Sequence, residues 1–135
     1  MIHTFPVRVY YEDTDFSGAV YHASYLRFME RGRTEFLRAL GMDQASAFAS
    51  DGLGFGVRAM AIDFLKPARM DDVLAVETRV TEVAGASLAM QQRVLRGTEV
   101  LVTATVKVAA IRAARAARLP ANLRAKIAAT LANSP

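Results

Sequence analysis

The chain changes its hydrophobic period near residue 54, and few architectures accommodate that change. Before it, from about Tyr21 to Leu40, the apolar set Tyr25, Phe28, Met29, Gly32, Phe36 and Leu40 recurs at helical spacing. Arg27, Arg31, Thr34 and Arg38 fall on the opposite side, so this stretch reads as one long amphipathic helix with Gly41 as its C-cap. Asp43 to Ser50 reads as a short second helix, opened by Asp43 as N-cap and closed near Gly52. After the change the period is two. Gly54 to Lys66 (ended by Pro67), Val73 to Val83, Ser87 to Leu95 and Val100 to Ile111 read as strands, and Val7 to Tyr11 reads as another ahead of the helix. Ala84-Gly85-Ala86 and Arg96-Gly97-Thr98 have hairpin length, which makes the last three long strands an antiparallel meander. The expected class is α+β: a long helix lying across one face of an antiparallel sheet of about five strands.

The size and composition fit that class. At 135 residues, 53% hydrophobic and 22% charged, the chain can form one domain with a packed core, and disorder is disfavoured. No apolar run reaches the ~18–20 residues of a membrane span, and Met1 to Pro6 lacks the basic and apolar regions of a secretory signal. The absence of cysteine rules out disulfides, thiolate metal sites and a cysteine nucleophile, and it fits a cytoplasmic location. The net charge of +4 is unevenly placed. All 13 acids lie before Lys107, whereas Lys107, Arg112, Arg115, Arg118, Arg124 and Lys126 follow with no acid among them. The reading is therefore a core over about residues 3–111 and a basic C-terminal tail over 112–135, in which Ala110 to Arg118 shows no clear conformation and Leu119-Pro120 introduces a helix to about Leu131. Such a tail suits an anionic phosphate, an acidic carrier or a lipid surface, and equally a merely solubilising role. Nucleic acid is disfavoured because no aromatics interleave with the bases.

The chemistry concentrates in the loop between the first strand and the long helix. Tyr10-Tyr11-Glu12-Asp13-Thr14-Asp15-Phe16-Ser17-Gly18-Ala19-Val20-Tyr21-His22 puts carboxylates, a glycine turn and a histidine at a helix start. A helix start leaves N–H groups unpaired and carries partial positive charge. A carboxylate held beside it can act as base or nucleophile while the N–H groups steady an oxyanion. This pattern, continued by Tyr25, resembles the hotdog-fold acyl-CoA thioesterases. Within them it is most similar to the Tol-Pal-associated branch of the 4-hydroxybenzoyl-CoA thioesterase family. The resemblance is strongest over residues 7–41 and runs to about Ile111.

The resemblance implies a single hotdog domain that hydrolyses an acyl-CoA to a carboxylic acid and free CoA, without cofactor or metal, and works as a homodimer or homotetramer. It implies Asp15 as catalytic base or nucleophile. His22 polarises the carbonyl through its N–H and assists through its imidazole, and Tyr11 lines the active site. Gly18, Val20, Tyr21 and Tyr25 are the candidate substrate-binding residues. The bland alternatives are local: Asp15 as a cap, His22 as an untitrating helix-start residue, and Tyr25 as a core aromatic. Asp13 reads as loop-shaping and Glu12 as solvated. Glu30 reads as paired along the helix with Arg33 or Thr34. Asp63 reads as facing a partner subunit or solvent.

Three other readings compete. Glu12, Asp13 and Asp15 could gather a hard cation, although calcium loops supply more ligands at fixed offsets. The chain could be a non-catalytic module binding an acyl carrier protein, a cell-envelope complex or the inner-membrane surface through its basic tail. Hydratases of the same fold pair a histidine with an acid at other spacings, which this chain does not match.

Overall fold

In a computed structural model describing residues 1–132, the chain folds as a hotdog domain: an antiparallel six-stranded sheet with one long helix across it. The strands are β1 (His3–Arg8), β2 (Gly54–Phe64), β3 (Val73–Val83), β4 (Ser87–Arg96), β5 (Glu99–Arg112) and β6 (Arg115–Ala116). The helices are α1 (His22–Ala39), α2 (Gln44–Asp51) and α3 (Ala121–Ala132). The sheet order is β1-β3-β4-β5-β2, with β6 paired to the end of β5, so β1 and β2 form the two long edges.

The expected helix and meander fall where the periodicity places them. Gly41 takes φ +84° just beyond the end of α1, and Asp43 caps α2 by accepting from the Ala45 and Ser46 N–H groups. The first strand differs from expectation: it covers His3–Arg8 and excludes Tyr11. Pro6 is tolerated because β1 is an edge strand. The chain then leaves the sheet, and Tyr11–Asp13 forms a single 3₁₀ turn.

The core forms between α1 and the inner sheet face. Phe28, Met29 and Phe36 are fully buried against Leu74, Val76, Met90, Val94 and Val102, and each large side chain contributes roughly 1.5–3 kcal/mol. α1 descends closest at Gly32, where an added Cβ would lie 2.6 Å from Val76 Cγ1. Beneath that point the buried Gln92 amide donates to Met29 O and Thr78 Oγ1, both at 2.9 Å, and accepts from Arg33 Nη1 at 3.0 Å.

The C-terminal segment is not a free tail. Ala117, Leu119, Leu123 and Ile127 join the core, and α3 packs on β3 beside α1. The segment from Ala110 was unreadable because it turns at Ala113 and Ala114, both at positive φ (51° and 61°), where a hairpin turn usually carries glycine or asparagine. Three of its bases are spent internally. Arg112 pairs with Asp51, Arg124 donates to Ala84 O and Gly85 O, and Lys126 donates to Leu40 O at the end of α1. Residues 133–135 of the basic segment lie outside the described residues.

Candidate active site

The loop between β1 and α1 is fixed by Asp13, which is 6% exposed. Its carboxylate accepts from Tyr10 N–H at 2.8 Å, while its carbonyl accepts from Tyr21 N–H at 2.9 Å and Ser24 Oγ at 3.1 Å. Asp13 therefore ties the 3₁₀ turn to the start of α1, as a loop-shaping acid should. Glu12 points to solvent. With the Asp13 carboxylate turned back onto Tyr10, the three acids do not converge.

The loop next doubles back on itself. Asp15 N–H donates to Ala19 O at 2.9 Å, Gly18 N–H donates to Asp15 O at 3.0 Å, and Thr14 bridges to Val20. Gly18 holds φ +83° with open space where a Cβ would sit, so conformation rather than clearance calls for glycine. The turn presents Asp15 to solvent. Its Oδ1 accepts from Ser17 Oγ at 2.6 Å and Ser17 N–H at 2.8 Å. The Ser17 hydroxyl, then the Ser17 N–H, and more weakly the nearby His22 hold this carboxyl below its ordinary pKa. Asp15 is thus an exposed carboxylate that is ionised at neutral pH.

α1 begins at His22 with Tyr21 as N-cap residue and no side-chain cap. The N–H groups of His22 and Ala23 have no acceptor among the described residues. The His22 ring leans on Tyr21 (centroids 4.3 Å apart) and meets the edge of Phe64 at 6.3 Å. Below it lies an apolar cleft of about 250 Å³ lined by Val20, His22, Tyr25, Phe64, Leu65, Lys66 and Pro67. Tyr25 is a core aromatic that also forms the cleft floor. It is 3% exposed, packs on Phe28 and Phe64, and its hydroxyl accepts from Ala68 N–H at 2.9 Å. Burial raises its pKa, so it remains a neutral phenol.

Of the candidates, Val20, His22 and Tyr25 meet in this cleft. Tyr21 stands on its rim at 46% exposure, and Asp15 and Gly18 lie on the adjoining turn. Tyr11 stands apart, 79% exposed on the 3₁₀ turn, because the strand that would have carried it ends earlier. Glu30 accepts from Thr34 Oγ1 at 3.0 Å, as expected. Asp63 is exposed.

The sequence reading missed the second wall, Phe64 to Pro67. The only signal was an apolar pair followed by Lys-Pro at the end of a strand, a pattern common to many strand ends. That wall is held by ions. Lys66 pairs with Glu99 at 2.9 Å, Glu99 with Arg96 at 2.6 Å, and Arg96 with Asp72 at 2.8 Å. Arg96 also donates to Pro67 O at 3.3 Å. Lys66, then Arg96, hold the Glu99 carboxyl below its ordinary pKa. Ser17 was also missed, although its spacing of two from Asp15 is that of an Asx turn.

The chain is similar to known proteins. Residues 9–131 match the thioesterase-like superfamily. The chain is 53% identical over 108 residues to the acyl-CoA thioesterase YbgC of Haemophilus influenzae, covering 80% of this chain and 79% of that protein. It is 47% identical over 96 residues to the acyl-CoA thioester hydrolase YbgC of Escherichia coli O6:H1, covering 71% of each. The crystal structure of a probable thioesterase from Bartonella henselae superposes with a TM-score of 0.86 at 45% identity, covering 89% of this chain and all of that one.

Proposed function

We propose a mechanism for this chain, which belongs to the thioesterase-like superfamily and is an enzyme that hydrolyses acyl-CoA thioesters: ionised Asp15 supplies the base or nucleophile, and the start of α1 binds the oxyanion. The observation that carries it is the pairing of an exposed, ionised carboxylate with an uncapped helix start at an apolar cleft. The thioester carbonyl lies against the His22 N–H, with the acyl group in the cleft over Tyr25 and between Val20 and Phe64. Asp15 deprotonates a water or attacks the carbonyl directly, and the negative charge that develops on oxygen meets the N–H groups and the positive end of the helix. Collapse of the tetrahedral species breaks the C–S bond. In the base route the CoA thiolate leaves with the proton that Asp15 took from water. In the nucleophilic route it leaves a mixed anhydride on Asp15, which a water then hydrolyses to the free acid, its proton going to the thiolate and the carboxylate being restored. The His22 imidazole, stacked at the mouth, orients or protonates the groups that pass it. Tyr21 and Gly18 shape the mouth.

The active form is a homodimer or homotetramer. β2 leaves its outer edge unpaired, and Val57, Phe64 and Leu65 are about half exposed along it. Such an edge calls for a partner strand, and a second copy of β2 supplies one by a two-fold axis. Lys107, Arg115 and Arg118 are exposed and have no acid partner among the described residues, so they are available to an acyl carrier protein or an anionic membrane surface. Among the described residues no helix is long and apolar enough to cross a membrane.

His22 is the first helical residue, so the roles of its N–H and its ring can be separated. His22→Ala removes the imidazole alone. His22→Pro removes both, at a position where proline suits a helix, and Tyr21 already has the extended backbone that precedes proline (φ −63°, ψ 134°). We expect His22→Ala to lower kcat about tenfold, and His22→Pro to lower it a further ~10²-fold as an oxyanion donor is lost. CoA release over a panel of acyl-CoAs measures both. Equal rates for the Ala and Pro variants would remove the N–H from the mechanism.

A further inference from the structure

A second cavity, of about 260 Å³, lies between α1, α2 and the start of β2, away from the cleft at His22. Its floor is apolar, formed by Leu37, Phe55, Met90 and Val108, and its upper wall carries Arg33. Arg33 is only 9% exposed. One guanidinium nitrogen donates to Gln92 Oε1 at 3.0 Å, and Gln92 is locked in turn by its bonds to Met29 O and Thr78 Oγ1. No carboxylate stands at salt-bridge distance from Arg33 among the described residues, although the charge of Glu30 acts on it from the rim. Glu30, at the rim, is exposed and engaged by Thr34. A guanidinium has five donors, and most of these are uncommitted beside the cavity.

We propose that this cavity binds a carboxylate carried on an apolar stem, with Arg33 as its anchor. The planar fork of arginine matches a carboxylate in two parallel hydrogen bonds. Gln92 fixes the guanidinium before any ligand arrives, and the apolar floor accepts the stem. A dianion such as phosphate suits the site poorly, because the floor offers it no donors and Glu30 repels it from the rim. The carboxylate has two sources. One is a free acid, the class of product that thioester hydrolysis releases. The other is the distal carboxylate of a long acyl group whose thioester sits at His22, a source that rests on the mechanism proposed above. Helix rise places Arg33 about 16 Å along α1 from His22, so only long acyl chains would span it.

Calorimetric titration of the full chain with octanoate and with octan-1-ol tests the proposal. Octanoate should bind about tenfold more tightly than the alcohol, as expected for a charge-assisted fork. Arg33→Leu should abolish the difference. Because Arg33→Leu also strands Gln92, Glu30→Gln provides an independent check: removing the rim charge should tighten octanoate binding without affecting the alcohol. In the second arm, kcat/KM for tetradecanedioyl-CoA is compared with that for tetradecanoyl-CoA. A preference for the dioic thioester that disappears in Arg33→Leu identifies the distal carboxylate as ligand. Equal kinetics together with octanoate binding identifies the free acid. Loss of the mechanism's own signature, with Asp15→Asn as active as the wild type on the best acyl-CoA of a panel while octanoate still binds through Arg33, would sink the mechanism and leave this site standing. Indifference to the carboxylate in both arms, with Arg33 and Glu30 variants unchanged, would overturn the proposal and return the cavity to water.

Discussion

Ser17 lowers the pKa of Asp15, and that has a consequence at acidic pH. The folded-state pKa of Asp15 is below the ordinary value, so its ionised form persists through neutral and mildly acidic pH. Whatever stability the Asp15–Ser17 contact contributes is present above the unfolded pKa and is lost as pH falls through the folded one. The activity that depends on this charge follows the same direction. Ser17→Ala keeps the backbone N–H but removes the hydroxyl, so the pKa rises and the acid limb of kcat/KM should move to higher pH. A pH–rate profile that superposes on the wild type would mean that Ser17 does not set the working charge. At this scale the motif was readable because Asp15, Gly18 and His22 are near neighbours in sequence. Phe64 to Pro67 were not, because they reach the cleft through tertiary pairing, held by the Lys66–Glu99–Arg96–Asp72 chain of ions.

At the scale of elements, the position of α1 depends on Gly32. The periodicity placed this residue on the buried face but could not show the reason for a glycine there. An alanine Cβ would stand 2.6 Å from Val76 Cγ1, 3.2 Å from Thr78 Oγ1 and 3.3 Å from Gln92 Nε2. Helix propensity favours alanine over glycine by about 1 kcal/mol, yet forcing the helix off the sheet costs roughly 1–3 kcal/mol. Val76 is a stiff, fully buried neighbour, so the clash should win. We expect Gly32→Ala to be destabilised by about 1 kcal/mol in urea unfolding, with lowered activity because His22 rides on the same helix. A stabilised variant would show that the sheet yields at this point. The other elements were legible in proportion to their local signals. α2 was found from Asp43 and Gly52, and the hairpins from Gly85 and Gly97. β6 was missed because Ala113 and Ala114 adopt positive φ with nothing in their side chains to announce it.

For the whole molecule, the sheet face under the helices leaves no apolar surface over. Val76, Val80, Leu88, Met90, Val102 and Ala104 are all buried within the domain, because α3 covers the part of the sheet that α1 leaves open. Exposed apolar side chains are scattered (Ile2, Phe48 and Val73 among them), and they include the β2 edge and the loop tip, where Phe16 is wholly exposed beside Asp15. The case for self-association therefore rests on an open edge. Sedimentation at micromolar concentration should give a dimer or tetramer, and a fully active monomer would contradict it. The packing of α3 also changes how the basic segment can be tested. Truncation after Ile111 would strip Leu119, Leu123 and Ile127 from the core, so reversing the charge of Arg115 and Arg118 is the cleaner probe of carrier or membrane binding. The central claim is that the charge on Asp15 drives thioester hydrolysis, and the most direct measurement is kcat of purified Asp15→Asn on the best acyl-CoA of a panel. The exposed turn should fold unchanged, and kcat should fall by at least ~10²-fold, the low end for losing a positioned base. Retention of more than about a third of wild-type kcat, where loss of such a group should cost ~10²-fold, would contradict the account.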